Sequence, residues 1–187
     1  ENQDAEAFRK PPPNLEAEQA VLGAVLVNNE ALDKILAFLE PEHFFEPVHG
    51  RIYEKIVKLR ERLQAATPVT LRPFFEEDTA LQEVGGAQGY LARLAGAAVT
   101  IINIEDYGRL IVDLADRRAL IRLGEAMVLG AYEADIDDDA QSQIESAEQS
   151  LFNLSNRRSA EGGFVSFSHA LTDAVHIIDR ARKQDGI

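Results

Sequence analysis

The sequence contains no cysteine, no tryptophan and a single methionine among its 187 residues. Without cysteine, the chain can form neither a disulfide framework nor a catalytic thiolate, which fits a reducing compartment, and we expect the cytoplasm. No apolar run approaches the roughly 20 residues that a membrane-spanning helix requires. The first residues also lack the basic-then-apolar pattern of a secretion signal. We therefore expect no membrane partner.

Basic residues are scarce as well. There are 19 lysines and arginines against 32 aspartates and glutamates, giving a net charge of -13. This charge repels the phosphate backbone of nucleic acids unless the basic residues gather on one surface. Direct DNA binding is therefore disfavoured. The hydrophobic fraction of 45% is ordinary for a globular protein with an apolar core.

The chain also lacks the usual catalytic motifs. It contains no HExxH, no nucleophile motif and no GxxxxGK[ST] sequence. Gly85, Gly86 and Gly89 are followed by no Lys-Ser/Thr pair, and no strand pattern precedes them, so they predict a turn before a helix that begins near Ala87. We expect no catalytic or cofactor-binding residue here, and any catalysis would belong to sequence outside this chain.

One acidic cluster has partial metal-ligand spacing. Asp135, Asp137 and Asp139 match the first ligands of a calcium loop, but the sixth position is Ala140 and the twelfth is Ser146, instead of Gly and Glu. Helix capping and solvation are the favoured interpretation.

The histidines offer a second candidate site. His169, Asp173 and His176 share one face of the last predicted helix, but that face lies opposite the apolar stripe and supplies only three ligands, which favours a solvated surface. An all-α metal-binding protein or enzyme using these residues remains the alternative. His43 and His49 are expected to finish a helix end or a core edge.

The first half of the chain predicts an extended arm and a helical head. Three prolines, Pro11–Pro13, end the arm at residues 1–13. Asn14 can cap a first helix, and a second helix is expected to end before Pro41. Together with later helices they predict an all-α head over residues 14–102. The apolar positions at helical spacing in the first two helices are Leu15, Leu22, Val25, Leu26, Leu32, Ile35, Leu36 and Leu39.

A third helix, from Val48, carries both an apolar stripe and a basic one. The apolar stripe consists of Ile52, Ile56, Leu59 and Leu63. The basic stripe, displaced by about 100° at 3.6 residues per turn, consists of Arg51, Lys55, Lys58 and Arg62. A solvated face partly neutralised by Glu54 and Glu61 is the simpler interpretation. The alternatives are a docking ridge for an acidic partner and a DNA-binding helical module.

The second half predicts a long antiparallel helical hairpin over residues 103–155. A helix from Asn103 to about Ala134 is followed by a turn and a second helix with a narrow, heptad-like apolar stripe. Because such a hairpin cannot bury itself, we predict self-association. The stripe begins at Ala140, and the residues expected to form the seam are Ile144, Ala147, Leu151 and Leu154.

Residues 156–166 predict a flexible linker, and residues 167–187 a separate amphipathic helix. Nothing later in the chain can cover the apolar face of this helix, so we expect it to dock on another domain or subunit. That docking face consists of Phe167, Leu171, Val175 and Ile178.

Five ordered blocks of the sequence resemble the N-terminal part of bacterial replicative DNA helicases, the DnaB family. The blocks are NLEAEQAVLGAVLVNNEALDKI, PEHFFEPVHGRIYEKI, VGGAQGYLARL, NIEDYGRLIVDLADRRALI and AEQSLFNL. The final FSHALTDAVHIIDRARKQDGI is similar to the linker helix that precedes the ATPase domain in that family. One departure is the direct run Pro68-Val69-Thr70-Leu71, where the family usually has an aspartate after the proline, so any contact made by this loop is left open.

The resemblance implies a function that the residues alone do not. The parent would be a homohexameric motor that uses ATP and Mg to move 5′ to 3′ on single-stranded DNA, with its motor site outside this chain. The present region would form a head and a hairpin that assemble through dimers into a collar. The collar would recruit primase, with a helicase loader as a further partner, and the linker helix would pack on a neighbouring subunit's motor domain.

Overall fold

A computed structural model describes residues 12–98, 103–133 and 139–156. These residues contain helices and turns and no strand, which confirms the all-α prediction. Seven α-helices are labelled in chain order: α1 (Leu15–Val27), α2 (Pro47–Glu61), α3 (Pro68–Leu71), α4 (Thr79–Glu83), α5 (Gly86–Ala97), α6 (Ile104–Tyr132) and α7 (residues 140–156). Short 3₁₀ helices lie at Asn29–Lys34, Pro41–His43 and Arg72–Phe74.

The first helix begins as the sequence predicts. The side chain of Asn14 accepts a hydrogen bond from the backbone N–H of Ala17 at 2.9 Å, which satisfies one free donor of the first turn. The second predicted α-helix is wrong: Asn29–Lys34 is a 3₁₀ helix followed by turns, and Leu36 is 47% exposed. Asn28 explains this change, because its side chain accepts a hydrogen bond from Glu30 N–H and so favours a tighter turn.

The third helix, α2, buries most of its predicted apolar stripe. Ile52 and Ile56 are fully buried and Leu59 nearly so. The prediction for Leu63 is wrong, because α2 ends at Glu61 and the Leu63 side chain is 91% exposed. The α2 stripe therefore faces the core for about two turns and stops before its last predicted member.

Three glycines shape the head, one at a close helix contact and two at a turn. A Cβ on Gly23 would lie 2.1 Å from the carbonyl oxygen of Leu94, so α1 and α5 approach each other backbone to backbone. Gly85 and Gly86 have φ values of 100° and 80°, which a residue with a Cβ rarely adopts. The predicted turn at these glycines is confirmed, and α5 begins at Gly86.

The chain divides into two compact units, Glu1–Arg122 and Leu123–Ile187. In the first unit, the start of α6 contributes Ile104, Ile111 and Val112 to the same core as α1, α2 and α5. The assignment of residues 103–155 to a separate hairpin stays a prediction. No helix in the described ranges is both long and apolar enough to cross a bilayer.

In the second unit, the side chain of Asp139 caps α7 by accepting a hydrogen bond from Ser142 N–H at 2.7 Å. The Gln143 side-chain amide donates to the Gly130 carbonyl at 3.2 Å. This bond places the first turn of α7 beside the last turn of α6.

Candidate protein-interaction surfaces

The second unit exposes large apolar side chains on both of its helices. Tyr132 is 87% exposed, Phe152 is 61% exposed and Val128 is 58% exposed. Exposed apolar side chains concentrated on one small unit make it a candidate interaction surface. We call this set the apolar surface; its members are Met127, Val128, Leu129, Tyr132, Ile144, Leu151 and Phe152.

Two of the predicted seam residues belong to the apolar surface. Ile144 is 53% exposed and Leu151 is 46% exposed, whereas Ala147 and Leu154 are half-buried. Ile144 and Leu151 are seven residues apart, so they share one face of α7. The seam itself stays a prediction. The sequence did not predict Phe152 as a member of this surface, because position 152 does not belong to the heptad-like apolar stripe.

Three of the four predicted ridge cations have partners within the head. Arg51 Nη2 lies 2.5 Å from a carboxylate oxygen of Asp78. Lys55 Nζ lies 5.2 Å from the centroid of the Phe74 ring, within cation–π range.

Lys58 pairs with Glu54 one turn earlier, and the hydrogen bond from Lys58 lowers the pKa of the Glu54 carboxyl. Arg62 is exposed at the end of α2. Three of the four ridge cations thus make contacts within the head itself. A docking role for the ridge stays a prediction.

A buried polar network joins α1, α2 and α5. The Glu18 carboxylate, 2% exposed, accepts hydrogen bonds from the backbone N–H groups of Phe45 at 2.5 Å and Glu46 at 3.3 Å. It also contacts His49 Nδ1 at 2.7 Å, and His49 Nε2 lies 2.5 Å from the Tyr90 hydroxyl. Burial raises the pKa of the Tyr90 hydroxyl.

The network also places a negative charge at the N-terminal end of α2, where the helix dipole favours it. The sequence does not single out Glu18, which lies in the acidic first turn of α1. No local signal could have revealed its partners, since Phe45 and His49 are 27 and 31 residues away in the chain.

A second buried charge fixes α6 to the head. Arg118 is 7% exposed and donates hydrogen bonds to the carbonyls of His43 at 2.6 Å and Pro12 at 3.2 Å. Its guanidinium also lies 5.5 Å from the centroid of the Phe45 ring. Burial lowers the pKa of the Arg118 guanidinium. The two carbonyls accept hydrogen bonds from its buried N–H groups, which would otherwise lack partners. No feature of the sequence around Arg118 predicts its burial.

The remaining predicted sites fall largely outside the described residues. Asp135 and Asp137 lie there, as do the candidate metal ligands His169, Asp173 and His176 and the docking face of the predicted linker helix. Asp139 is a helix cap. Within residues 12–98, 103–133 and 139–156, no group of three or more histidine or carboxylate side chains is arranged to hold a metal ion.

An all-α head fastened by buried polar contacts, followed by helices with an uncovered apolar surface, defines a protein-interaction domain. A family model described as the DnaB-like helicase N terminal domain matches residues 10–113, more than half of the chain. The chain belongs to this family, which confirms the resemblance found in the sequence.

Individual relatives also support the assignment to this family. The chain is 42% identical over 174 residues to the replicative DNA helicase DnaB of Rickettsia conorii, covering 93% of this chain and 35% of that protein. It thus spans about a third of the length of the curated relatives that it matches.

Solved structures give the same fold. The N-terminal domain of DnaB helicase from Mycobacterium tuberculosis superposes with a TM-score of 0.69 at 29% identity, covering 77% of this chain and 99% of that domain. The corresponding domain from Helicobacter pylori, described together with its interactions with primase, superposes with a TM-score of 0.55 over 63% of this chain and 91% of that domain. At 24% identity it supports the fold alone.

Proposed function

We propose that this chain is the N-terminal collar domain of a replicative DNA helicase, where it assembles subunits and recruits primase. The parent would be a cytoplasmic hexamer that binds ATP and Mg and acts on single-stranded DNA through sequence outside this chain. A helicase loader would be a further partner. The proposal rests on the family membership and on the architecture of the two units.

The observation that carries the assembly role is the apolar surface of the second unit. Burying a leucine, isoleucine or phenylalanine side chain contributes about 1.5–3 kcal/mol, and this contribution is forgone wherever the side chain stays in water. Ile144 and Leu151 share a face of α7 and are about half exposed. A second copy presenting the same face would cover both, as in an isologous dimer.

Replacing Leu151 by aspartate tests this role. A carboxylate at a buried seam position would lack a partner, so Leu151→Asp should raise the dimer dissociation constant by at least about 100-fold. Gln149→Asp is the matched control, because position 149 lies about 200° around the helix from position 151. Sedimentation velocity over a concentration series measures both. Equal sedimentation of Leu151→Asp and the parent would exclude α7 as the seam.

Recruitment of primase is tested by calorimetric titration of the chain with the C-terminal domain of primase from the same organism. Saturable binding by an oligomer supports the collar role. An oligomer that binds no primase domain would leave assembly as the function. A monomer without binding would contradict both parts of the proposal.

Two further contacts complete the proposal. The linker-helix face, consisting of Phe167, Leu171, Val175 and Ile178, would dock on the motor domain of a neighbouring subunit. The ridge of Arg51, Lys55, Lys58 and Arg62 is the weaker candidate for a partner surface, because three of its cations already have intramolecular partners.

A further inference from the structure

Leu63 combines two features that a leucine ordinarily avoids. Its φ of 57° lies in the left-handed region, where the Cβ crowds the backbone. Its side chain is 91% exposed, so no packing against the described residues compensates for the strain. Glycine or asparagine usually occupies such a position.

The local hydrogen bonds show why the strained conformation is fixed. Leu63 N–H donates to the Arg60 carbonyl at 2.9 Å, and Gln64 N–H donates to the Leu59 carbonyl at 2.9 Å. These two bonds form the Schellman motif that ends many helices, with Leu63 at the position where glycine is preferred. The backbone therefore holds Leu63 outward in one conformation.

Hydrogen bonds also fix the loop that follows, at Ala65 and Ala66. The Asn29 side-chain amide accepts from Ala66 N–H at 2.9 Å and donates to the Ala66 carbonyl at 2.7 Å. The Thr70 hydroxyl donates to the Ala65 carbonyl at 2.8 Å, which ties α3 to this loop. Val69, adjacent to Thr70, is 80% exposed. Leu63 and Val69 are thus presented by a preorganised backbone, which lowers the entropy that binding must overcome.

The charge around these two side chains differs from that of the whole chain. Residues 58–72 contain four basic residues and one acidic residue, whereas the full sequence carries a net charge of -13. Two of these four cations, Lys58 and Arg72, already pair with Glu54 and Glu76. In the described part of the chain, neither Arg60 nor Arg62 forms an ion pair. We call Arg60, Arg62, Leu63 and Val69 the basic corner.

We propose that the basic corner docks an acidic amphipathic helix of another protein, with Leu63 as the apolar anchor and Arg60 and Arg62 pairing with its carboxylates. An amphipathic helix carries apolar side chains on one face and, when acidic, carboxylates beside them, which complements an exposed apolar anchor flanked by cations. A second copy of this chain is the less suitable occupant, because the surface proposed above for self-association lies in the second unit.

The first test measures whether Leu63 lowers the thermal stability of the protein. Leu63→Gly and Leu63→Asn relieve the strain without removing a packed side chain, so the melting temperature should rise by about 2 °C. A lower melting temperature in both variants would mean that Leu63 has a structural role, which overturns the proposal.

The second test uses two synthetic 18-residue amphipathic helices, with leucine at every third and fourth position and either glutamate or lysine elsewhere. Nuclear magnetic resonance titration should show shifts at residues 60–63 and 69 with the glutamate peptide only. Leu63→Asn, and separately Arg60→Gln with Arg62→Gln, should weaken binding by about tenfold or more. Leu36→Asn, an exposed leucine in the same unit, is the control.

Three outcomes would overturn the proposal. They are an absence of binding, equal binding of the lysine peptide, and shifts centred away from the basic corner. Concentration-dependent self-association that is lost in Leu63→Asn but retained in Leu36→Asn would assign the corner to a second copy instead.

Discussion

The two units of this protein use glycine and apolar residues in opposite ways. In the first unit, Gly23 lies in an interface so close that a methyl group would strike the Leu94 carbonyl, whereas Gly124 in the second unit has no heavy atom within 4 Å of a would-be Cβ. The first unit has a core in which leucines such as Leu22 and Leu91 are fully buried, whereas Leu129 and Leu151 in the second unit are about half exposed. The first unit thus has a buried apolar core of its own, whereas the described helices of the second unit leave many of their large apolar side chains in water.

The largest effect is expected from the buried network of the first unit. Glu18→Gln removes a buried charge that accepts three hydrogen bonds, and the new amide would face donors, so the free energy of unfolding should fall by about 3 kcal/mol. Glu16→Gln, exposed on the same helix, should change it by less than about 0.5 kcal/mol. Urea denaturation followed by circular dichroism measures both. Similar values for the two variants would refute the structural role of Glu18.

The same substitution in each unit sharpens the comparison. Gly23→Ala should destabilise the protein by about 2 kcal/mol, because overpacking against the α5 backbone outweighs the better helix propensity of alanine. Gly124→Ala, in the open interior of α6, should stabilise the protein by about 0.5–1 kcal/mol.

Thermal denaturation at fixed protein concentration decides the sign of each effect. If both glycine variants change stability in the same direction, the units do not differ in packing as described.

The smallest effect concerns a flaw in the well-packed unit. Tyr53 is fully buried beside Phe44, and its hydroxyl has no hydrogen-bond partner among the described residues. Burial raises the pKa of this hydroxyl, since an anion there would be poorly solvated. Tyr53→Phe should therefore stabilise the protein by up to about 1 kcal/mol. A loss of more than 1 kcal/mol would reveal an ordered water bound to the hydroxyl.

Sequence reasoning succeeded where the signal is local and periodic. Asn14 as a cap, the glycine turn before α5 and the long helix α6 were all predicted, because each depends on residues within a turn or two. The prediction that Leu63 is buried was wrong, because α2 ends at Glu61, before the last residue of its apolar pattern. The prediction of an α-helix was also wrong at Asn29–Lys34, where asparagine side chains compete with α-helical hydrogen bonding.

The partners of the buried charges could not be predicted from the sequence, because local patterns do not show which distant segments come together. Glu18 and Arg118 look like ordinary surface residues in the sequence, because their partners are brought to them from segments 27 to 106 residues away. Burial of a charge is a property of the assembled core.

The sequence by itself determined the all-α class, because periodicity, caps and turns depend on neighbouring residues. It also determined the family, because the five ordered blocks resemble that family directly. Only the tertiary structure decided that Glu18 and Arg118 fasten the head, and that Leu63 stands strained and exposed at a basic corner. These facts depend on which distant segments meet, and the energies of such contacts exist only once the chain has folded.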